Sequence, residues 1–346
     1  MIIPHEKELS SAQIDEVKSI LADFKCSLQT IAGASQTIYA IIGDESSQLL
    51  VNRIEGLPYV ARVERVQAPY KLLAKGNEVA RTHFTLGGKE VGKDFVVIAG
   101  PCAVDHNNPN FLFETAHALK EAGADALRGG VWKPRTSPYA FQGDAKSLEV
   151  LIEARDRYGL EVVTEVMELD EVKLCVEAKV DVLQVGARNA LNYRLLSQIG
   201  KLTSGTNTRV LLKRSMHMGP IDEFILAAEY VAGNGNSNVM LCPRGTLPAV
   251  TGYRNYPDEC ITPLLKEKTW APVVVDPSHS VGRAKYVPRA ALAAAAYGAD
   301  GVVIESHCAP VKGLGDDPKQ AVSPEIIAKL IPELRAIHKA SRKFEF

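Results

Sequence analysis

The segment FVVIAGP (95–101) is the first of eight short, β-branched apolar runs, and each run is followed by a segment with helical periodicity. The other seven runs are ALRGG (126–130), EVVTEV (161–166), VLQVGAR (182–188), VLLKR (210–214), VMLCPRG (239–245), PVVVDPSH (272–279) and GVVIESH (301–307). Strands that alternate with helices indicate βαβ units and a parallel sheet. Eight such units predict a closed (β/α)8 TIM barrel over residues 95–346. The structural alternative, an open doubly wound sheet, calls for a Gly-x-Gly-x-x-Gly segment after an early strand, and the sequence has none there.

A smaller unit precedes the barrel, in residues 1–67. It starts with a short apolar segment, Met1–Pro4, which is the first strand of the predicted order. The periodicities that follow predict a helix at Ser11–Phe24 with a serine at its head, strands at Cys26–Ile31 and Thr37–Asp44, a helix at 46–57 and a strand at Tyr59–Val66. The order βαββαβ fits the ferredoxin-like motif. Residues 68–94 are predicted to be a linker and a barrel-capping hairpin, which turns on Gly87 and Gly88.

Composition limits the classes of function. The chain has 346 residues, of which 46% are hydrophobic, and its formal net charge is −1. Such a chain can bury a large core, but it lacks the basic excess that attracts nucleic acids or membrane surfaces. Six cysteines stand far apart, at Cys26, Cys102, Cys175, Cys242, Cys260 and Cys308. Their spacing favours neither a zinc ribbon nor a disulfide framework, and with no signal-peptide pattern we expect a cytoplasmic protein with reduced thiols.

Basic side chains fall at or just after the carboxyl ends of the predicted strands. They are Arg128, Lys133, Arg135, Arg188, Lys213 and Arg244. In a (β/α)8 barrel these ends meet on one face, so the cations are expected to surround one opening. Any one arginine could instead form a salt bridge to a barrel helix. Six together favour a polyanionic ligand, because guanidinium groups match phosphate and carboxylate oxygens.

A second group at the same strand ends contains Cys102, His279, Glu305 and an aspartate near position 316. Thiolate, imidazole and carboxylate together suit a divalent transition metal such as Mn, Fe, Co, Zn or Cu, which can polarise a carbonyl or activate water. Each residue also has a simpler interpretation. A buried cysteine is usually a small hydrophobic residue, and His279 could be a satisfied histidine at the barrel end.

Several blocks of sequence carry a family resemblance. They are AGPCAV (99–104), LRGGVWKPRTSPYAFQG (127–143), TEV (164–166), QVGARN (184–189), LLKR (211–214), DPSHSVGR (276–283) and ADGVVIESH (299–307). In this order they resemble type I 3-deoxy-D-arabino-heptulosonate 7-phosphate (DAHP) synthases, in the subgroup with an N-terminal ferredoxin-like regulatory domain. The resemblance implies a transferase that condenses phosphoenolpyruvate with D-erythrose 4-phosphate and water to give DAHP and phosphate. That reaction is the first step of the shikimate pathway of aromatic amino acid biosynthesis.

The resemblance also implies roles for individual residues. It gives Cys102, His279, Glu305 and Asp316 as ligands of a divalent metal ion, with Asp317 as the alternative to Asp316. It implies that phosphoenolpyruvate is held by Arg128, Lys133, Arg188, Lys213 and Arg244. Arg135 and Thr136 match the pair that receives the aldose phosphate. Lys133 would donate a proton to the forming alkoxide, and Glu165 would orient Lys133 or the attacking water. The block KPRTS differs from the Lys-Ala-Asn-Arg-Ser type of the sister 3-deoxy-octulosonate 8-phosphate synthases.

The resemblance extends to allostery and assembly. It implies a homotetramer, and an N-terminal unit that binds Tyr or Phe as an effector. The alternative interpretation of that unit is a stabilising appendage or an oligomer contact.

Some loops depart from the family pattern. Pro243 replaces a glutamate, Leu247 replaces an arginine and Ser215 replaces a glycine, while the last loop reads GLGDDPKQ (313–320). Loops on this face of a barrel tune the substrate while the barrel stays fixed. Two alternatives to DAHP synthesis therefore stay open. One is a specialised paralogue that uses another phosphorylated aldose, and the other is a non-catalytic barrel regulator.

Overall fold

The computed structural model describes residues 1–32, 36–43, 47–64, 69–77, 80–134, 137–139 and 141–344. Arg135 and Thr136, the predicted aldose-phosphate residues, lie outside the described residues. The chain divides into two compact units, Met1–Thr82 and His83–Phe346, and the division falls inside the 68–94 stretch. Among the helices that the structure describes, none is both long enough and apolar enough to cross a membrane.

The first unit has the ferredoxin-like fold that its sequence predicts. Its elements are β1 (Ile2–Pro4), α1 (Ser11–Asp23), β2 (Ser27–Ala32), β3 (Thr37–Ile42), α2 (Gln48–Glu55) and β4 (Val60–Val63). The strands pair antiparallel in the order β2-β3-β1-β4. Ser10 caps α1, and Gln13 completes a capping box with it. The buried Tyr39 closes the core, and its hydroxyl accepts a hydrogen bond from Leu9 N at 2.7 Å.

The second unit is the predicted barrel. Its strands are β7 (Val96–Gly100), β8 (Ala126–Arg128), β9 (Glu161–Val166), β10 (Val182–Val185), β11 (Arg209–Lys213), β12 (Val239–Cys242), β13 (Val274–Val275) and β14 (Gly301–Glu305). Neighbours in sequence are also neighbours in the parallel sheet, and β14 pairs with β7. Leu241 N donates to Pro272 O at 2.8 Å, which links β12 to the segment that leads into β13. All eight predicted strands are confirmed.

Helices connect the strands and form the outer layer. They are α3 (Asn110–Ala122), α4 (Lys146–Tyr158), α5 (Leu169–Glu177), α6 (Tyr193–Leu202), α7 (Ile221–Ala232), α8 (Thr262–Lys268), α9 (Pro277–Val281), α10 (Val287–Ala296), α11 (Asp317–Gln320) and α12 (Pro324–Ser341). One run behaves differently from its pattern. The segment PVVVDPSH contains a strand of only two residues, because Asp276 accepts the His279 N–H at 2.9 Å and Pro277 starts the short helix α9.

A hairpin closes the amino-terminal end of the barrel. Its strands are β5 (Thr85–Leu86) and β6 (Lys89–Glu90). Leu86 is fully buried and belongs to one apolar cluster with barrel residues such as Ile98 and Leu211. Gly87 N donates to Glu161 Oε2 at 2.5 Å, at the start of β9. The charged site predicted from the strand ends must therefore lie at the opposite opening.

We expect Gly87→Ala to lower the melting temperature more than Gly88→Ala does. Both glycines have positive φ, at 58° and 78°, so both substitutions carry the left-handed backbone penalty. A Cβ at position 87 would also overlap the carbonyl oxygen of Asp125, whereas a Cβ at position 88 would meet nothing within 4 Å. We expect Gly87→Ala to cost about 1–3 kcal/mol more, measured by thermal unfolding. An equal decrease in melting temperature for the two variants would contradict the conclusion that this hairpin closes the amino-terminal end of the barrel.

Candidate active site

A cavity of about 330 Å³ opens at the carboxyl end of the barrel strands. Seven of the predicted site residues line it: Lys133, Glu165, Arg188, Lys213, Arg244, His279 and Asp316. They lie at or after the carboxyl ends of seven different strands, β8 to β14, and the barrel brings these ends together on one face. Cys102 and Arg128 are not among the lining residues and lie buried.

Two buried arginines of the site, Arg244 and Arg128, lack a full set of hydrogen-bond partners among the described residues. Arg244 is 6% exposed, and its Nε and Nη1 atoms have no hydrogen-bond partner among the described residues. The same holds for Nε and Nη1 of Arg128. Burial lowers the pKa of the Arg244 guanidinium. Because a buried, unpaired cation is unfavourable, the site is built to receive an anion that completes these hydrogen bonds.

Carboxylates hold the two lysines of the cavity in place. Lys213 Nζ lies 2.5 Å from Asp276 Oδ2, and Lys133 Nζ lies 3.8 Å from Glu165 Oε2. Gln184 donates to the same Glu165 oxygen at 3.2 Å and orients it. Burial alone would lower the pKa of Lys133, but the neighbouring Cys102 and Glu165 raise it above the usual lysine value. Lys133 is therefore an ammonium group that faces the cavity.

A lone pair of His279 Nε2 faces a lone pair of Glu305 Oε1. His279 Nδ1 lies 2.7 Å from Asp276 Oδ2, which fixes the proton on Nδ1 and leaves Nε2 as an acceptor. That Nε2 lies 3.4 Å from Glu305 Oε1, an atom that accepts no hydrogen bond among the described residues. Burial lowers the pKa of His279 to about 4, so the ring is neutral at pH 7. A cation between the two atoms would satisfy both.

Glu305 is itself held by neighbours on its other side. Its Oε2 accepts a hydrogen bond from Gln320 Nε2 at 2.6 Å, and its backbone N–H donates to Ser278 Oγ at 2.9 Å. Arg128 Nη2 lies 3.3 Å from Oε1. Burial alone would raise the pKa of Glu305, but His279 and Arg128 lower it to about 2. The carboxylate is thus ionised and oriented.

Asp316 and Asp317 occupy different environments. Asp316 lines the cavity, and its Oδ2 lies 2.9 Å from Arg254 Nη1. Asp317 turns away and accepts the Cys102 N–H at 2.8 Å, and its burial raises its pKa well above the usual value. Burial also raises the pKa of the Cys102 thiol to about 11. Within the described residues, no three His, Cys, Asp or Glu side chains are already gathered closely enough to hold an ion.

The structure adds cavity residues that the strand-end argument missed. Arg254 and Asn255 line the cavity although they lie well past the end of β12. Two backbone hydrogen bonds between Thr246 and Tyr256, at 2.9 and 2.8 Å, fold this loop back over the opening. Arg254 Nη1 donates to Asp316 Oδ2 and to Gln320 Oε1 at 3.0 Å. Neither residue has a strand-end position in the sequence, because both belong to the loop segment YRNY (253–256).

Comparison with known proteins agrees with this geometry. The model described as "DAHP synthetase I family" matches residues 81–338, and the model described as "DAHP synthase ferredoxin-like domain" matches residues 1–68. The chain belongs to the DAHP synthetase I family. A phospho-2-dehydro-3-deoxyheptonate aldolase from Thermotoga maritima is 39% identical over 339 residues, which cover 97% of each chain.

Two further relatives of this DAHP synthetase I family member are informative. The crystal structure of phospho-2-dehydro-3-deoxyheptonate aldolase (DAHP synthase) from Thermotoga maritima superposes with a TM-score of 0.73 and covers 98% of this chain and 96% of that one. A 2-dehydro-3-deoxyphosphooctonate aldolase from Syntrophobacter fumaroxidans is 33% identical over 280 residues, which are 75% of this chain and 93% of that one. The similarity to the heptonate enzyme thus extends over more of this chain.

We expect Arg244→Met to weaken phosphoenolpyruvate binding by about 10- to 100-fold, since a hydrogen bond to a charged group contributes about 1.5–3 kcal/mol. The same variant should melt no lower than the wild type, because it removes a buried and unpaired charge. Calorimetric titration and thermal unfolding measure the two effects. The control is Lys329→Met, an exposed lysine on α12, which should leave both unchanged. Unchanged binding by Arg244→Met would contradict an anion site here.

Proposed function

We propose that this chain condenses phosphoenolpyruvate with D-erythrose 4-phosphate and water to give DAHP and phosphate. This reaction begins the shikimate pathway of aromatic amino acid biosynthesis. The observation that carries the proposal is the cavity lined by the incompletely paired Arg244 and by His279, whose Nε2 atom faces Oε1 of the buried Glu305. The 39% identity to the Thermotoga maritima enzyme over nearly the whole chain supports the same reaction.

Different residues are proposed to bind the two substrates. Lys133, Arg188, Lys213 and Arg244 line the cavity and are suited to the phosphate and carboxylate of phosphoenolpyruvate. Arg128 lies behind the lining, and we propose that it acts on phosphoenolpyruvate through the unpaired Nε and Nη1 atoms. Arg135 and Thr136 remain the proposed residues for the aldose phosphate.

The residues present fit a divalent metal ion such as Mn, Fe, Co or Zn. The lone pairs of His279 Nε2 and Glu305 Oε1 face each other, and the second ring nitrogen donates to a carboxylate, as in many metal sites. Cys102 and Asp316 are the proposed remaining ligands, in a mixed sulfur, nitrogen and oxygen set that suits these metals. When bound, such an ion supplies a Lewis acid that polarises the aldehyde carbonyl.

The chain's own residues then act on the reacting atoms. C3 of phosphoenolpyruvate attacks the aldehyde carbon, and Lys133 donates a proton to the alkoxide that forms. Water adds to the positively charged C2 and gives a proton to Lys133, which is neutral after its donation to the alkoxide. The bond between C2 and the phosphate oxygen then breaks, phosphate leaves with the electron pair and takes the C2 hydroxyl proton, and the C2 carbonyl forms. Glu165, 3.8 Å from Lys133, orients the ammonium group. The carboxylate of Asp276 holds both His279 and Lys213 in position throughout.

The direct test is phosphoenolpyruvate consumption by the purified protein, with and without erythrose 4-phosphate, before and after chelation. We expect consumption only with the aldose, its loss on chelation and its return with added Mn²⁺. Arabinose 5-phosphate and ribose 5-phosphate are tested in the same assay as alternative aldose substrates. Preference for one of these would favour the specialised paralogue, and no consumption with any aldose is the result expected of a non-catalytic barrel.

The Met1–Thr82 unit matches the family's ferredoxin-like domain. We propose that it is regulatory, that it binds Tyr or Phe, and that the protein assembles as a homotetramer. Addition of either amino acid in the same assay, together with light scattering, tests both parts.

We expect Lys133→Ala to lower kcat by about 10²–10³-fold or more, as for the loss of one electrostatic donor to a developing oxyanion. Steady-state kinetics with saturating substrates measure this loss. Lys329→Met is again the matched control, since its side chain lies on the exposed side of α12. A near-normal kcat for Lys133→Ala would remove Lys133 from the mechanism.

We expect Asp276→Asn to weaken metal binding by about 10- to 100-fold, because it removes the carboxylate that fixes the His279 ring and its tautomer. Competition with a chelating dye for Mn²⁺ measures this without any turnover. Asp170→Asn, in the first turn of α5, changes an exposed carboxylate and serves as the control. Identical Mn²⁺ affinity in Asp276→Asn and the wild type would refute the assignment of His279 as a ligand.

A further inference from the structure

A buried ion pair behind the cavity joins two loops of the site. Arg214 follows β11, and Asp258 lies in the loop after β12. Arg214 Nη1 lies 3.0 Å from Asp258 Oδ2, and the side chains are only 8% and 4% exposed. Neither residue lines the cavity, and neither has a role in the proposed reaction.

Each partner is also hydrogen-bonded to backbone. Arg214 Nη2 donates to Met218 O and to Gly219 O, both at 2.9 Å, in the loop between β11 and α7. Asp258 Oδ1 accepts the Gly245 N–H at 2.6 Å, in the peptide that follows Arg244. The pair therefore fixes the backbone of both loops at once.

Arg244 depends on this backbone for its direction. Its Nε and Nη1 atoms have no hydrogen-bond partner among the described residues, so these atoms do not anchor the side chain to the protein. Gly245 has a φ of 88°, and a Cβ there would lie 2.7 Å from the Asn255 Cβ atom and 3.0 Å from Ser280 Cα. The peptide after Arg244 is thus tightly packed, and its N–H is held by Asp258.

We propose that Arg214 and Asp258 are positioning residues that aim the Arg244 guanidinium at the anionic groups of phosphoenolpyruvate. This inference rests on the proposed function. The anionic groups of phosphoenolpyruvate are present in both the ground state and the transition state. A misoriented Arg244 guanidinium should therefore raise KM for phosphoenolpyruvate and change kcat little. A purely stabilising ion pair would show no such effect once stability is restored.

Three variants distinguish the effect of an unpaired buried charge from the effect of losing the side-chain acceptor of the Gly245 N–H. Breaking a buried pair leaves one charge unpaired, so Arg214→Met alone should lower Tm by about 5 °C or more. The double variant R214M/D258L removes both charges and should recover part of that Tm, because no charge is left unpaired, although the Gly245 N–H and the Met218 and Gly219 carbonyls lose their partners. R214M/D258N also removes both charges, but its amide oxygen can still accept the Gly245 N–H.

The experiment compares Tm, KM for phosphoenolpyruvate and kcat in these variants of the full chain. We expect R214M/D258L to melt above Arg214→Met, with KM raised about tenfold or more over the wild type and kcat within about threefold, since one charged hydrogen bond is misdirected. R214M/D258N should have a KM closer to that of the wild type. Arg335→Met breaks an ion pair with Asp125 at the other end of the barrel and should lower Tm with KM unchanged.

The outcomes separate this inference from the proposed function. If the wild type consumes no phosphoenolpyruvate with any aldose, the proposed function is wrong. If the wild type is active and R214M/D258L keeps its KM, the function stands and the positioning role is wrong. A KM that returns in parallel with Tm, regardless of whether residue 258 is Leu or Asn, would also overturn the inference.

Discussion

The carboxylate of Asp276 is the contact on which the rest of the site depends. It is fully buried, accepts the His279 Nδ1–H and backbone N–H, and lies against the Lys213 ammonium. Burial alone would raise its pKa, but His279 and Lys213 hold the pKa of this carboxyl well below its usual value. Its ionised form fixes the tautomer of His279, which leaves the Nε2 lone pair directed at Glu305. The proposed metal site and one side of the proposed anion site therefore share a single charge.

The two ends of the barrel have different roles, since the amino-terminal end is an apolar core and the carboxyl end holds the charged residues of the candidate site. At the amino-terminal end, the hairpin around Gly87 seals an apolar interior. At the carboxyl end, the strands deliver buried charges such as those of Arg244 and Glu305, whose partners are incomplete in the protein alone. Buried unpaired charge opposes folding, so the apolar half must offset it. A bound anionic ligand would supply partners for Arg244, so that the unfavourable burial of this charge would favour anions over other ligands.

The sequence predicted the barrel and most of the cavity because both follow from short-range patterns. β-branched runs mark strands, and strand ends in a barrel share one face. Arg254 could not be placed this way, since it reaches the cavity through the pairing of Thr246 with Tyr256. The Arg214–Asp258 pair was missed for a similar reason, because it connects two loops. The different orientations of adjacent Asp316 and Asp317 depend on a turn that no periodicity encodes.

The most direct measurement is a crystal structure of the protein with Mn²⁺ and phosphoenolpyruvate, with anomalous diffraction data at the manganese edge. The account predicts an anomalous peak within bonding distance of both His279 Nε2 and Glu305 Oε1, with phosphoenolpyruvate oxygens on Arg244 and Lys133. A manganese ion held elsewhere, with His279 and Glu305 still facing each other, would contradict it. Phosphoenolpyruvate bound outside this opening would do so equally.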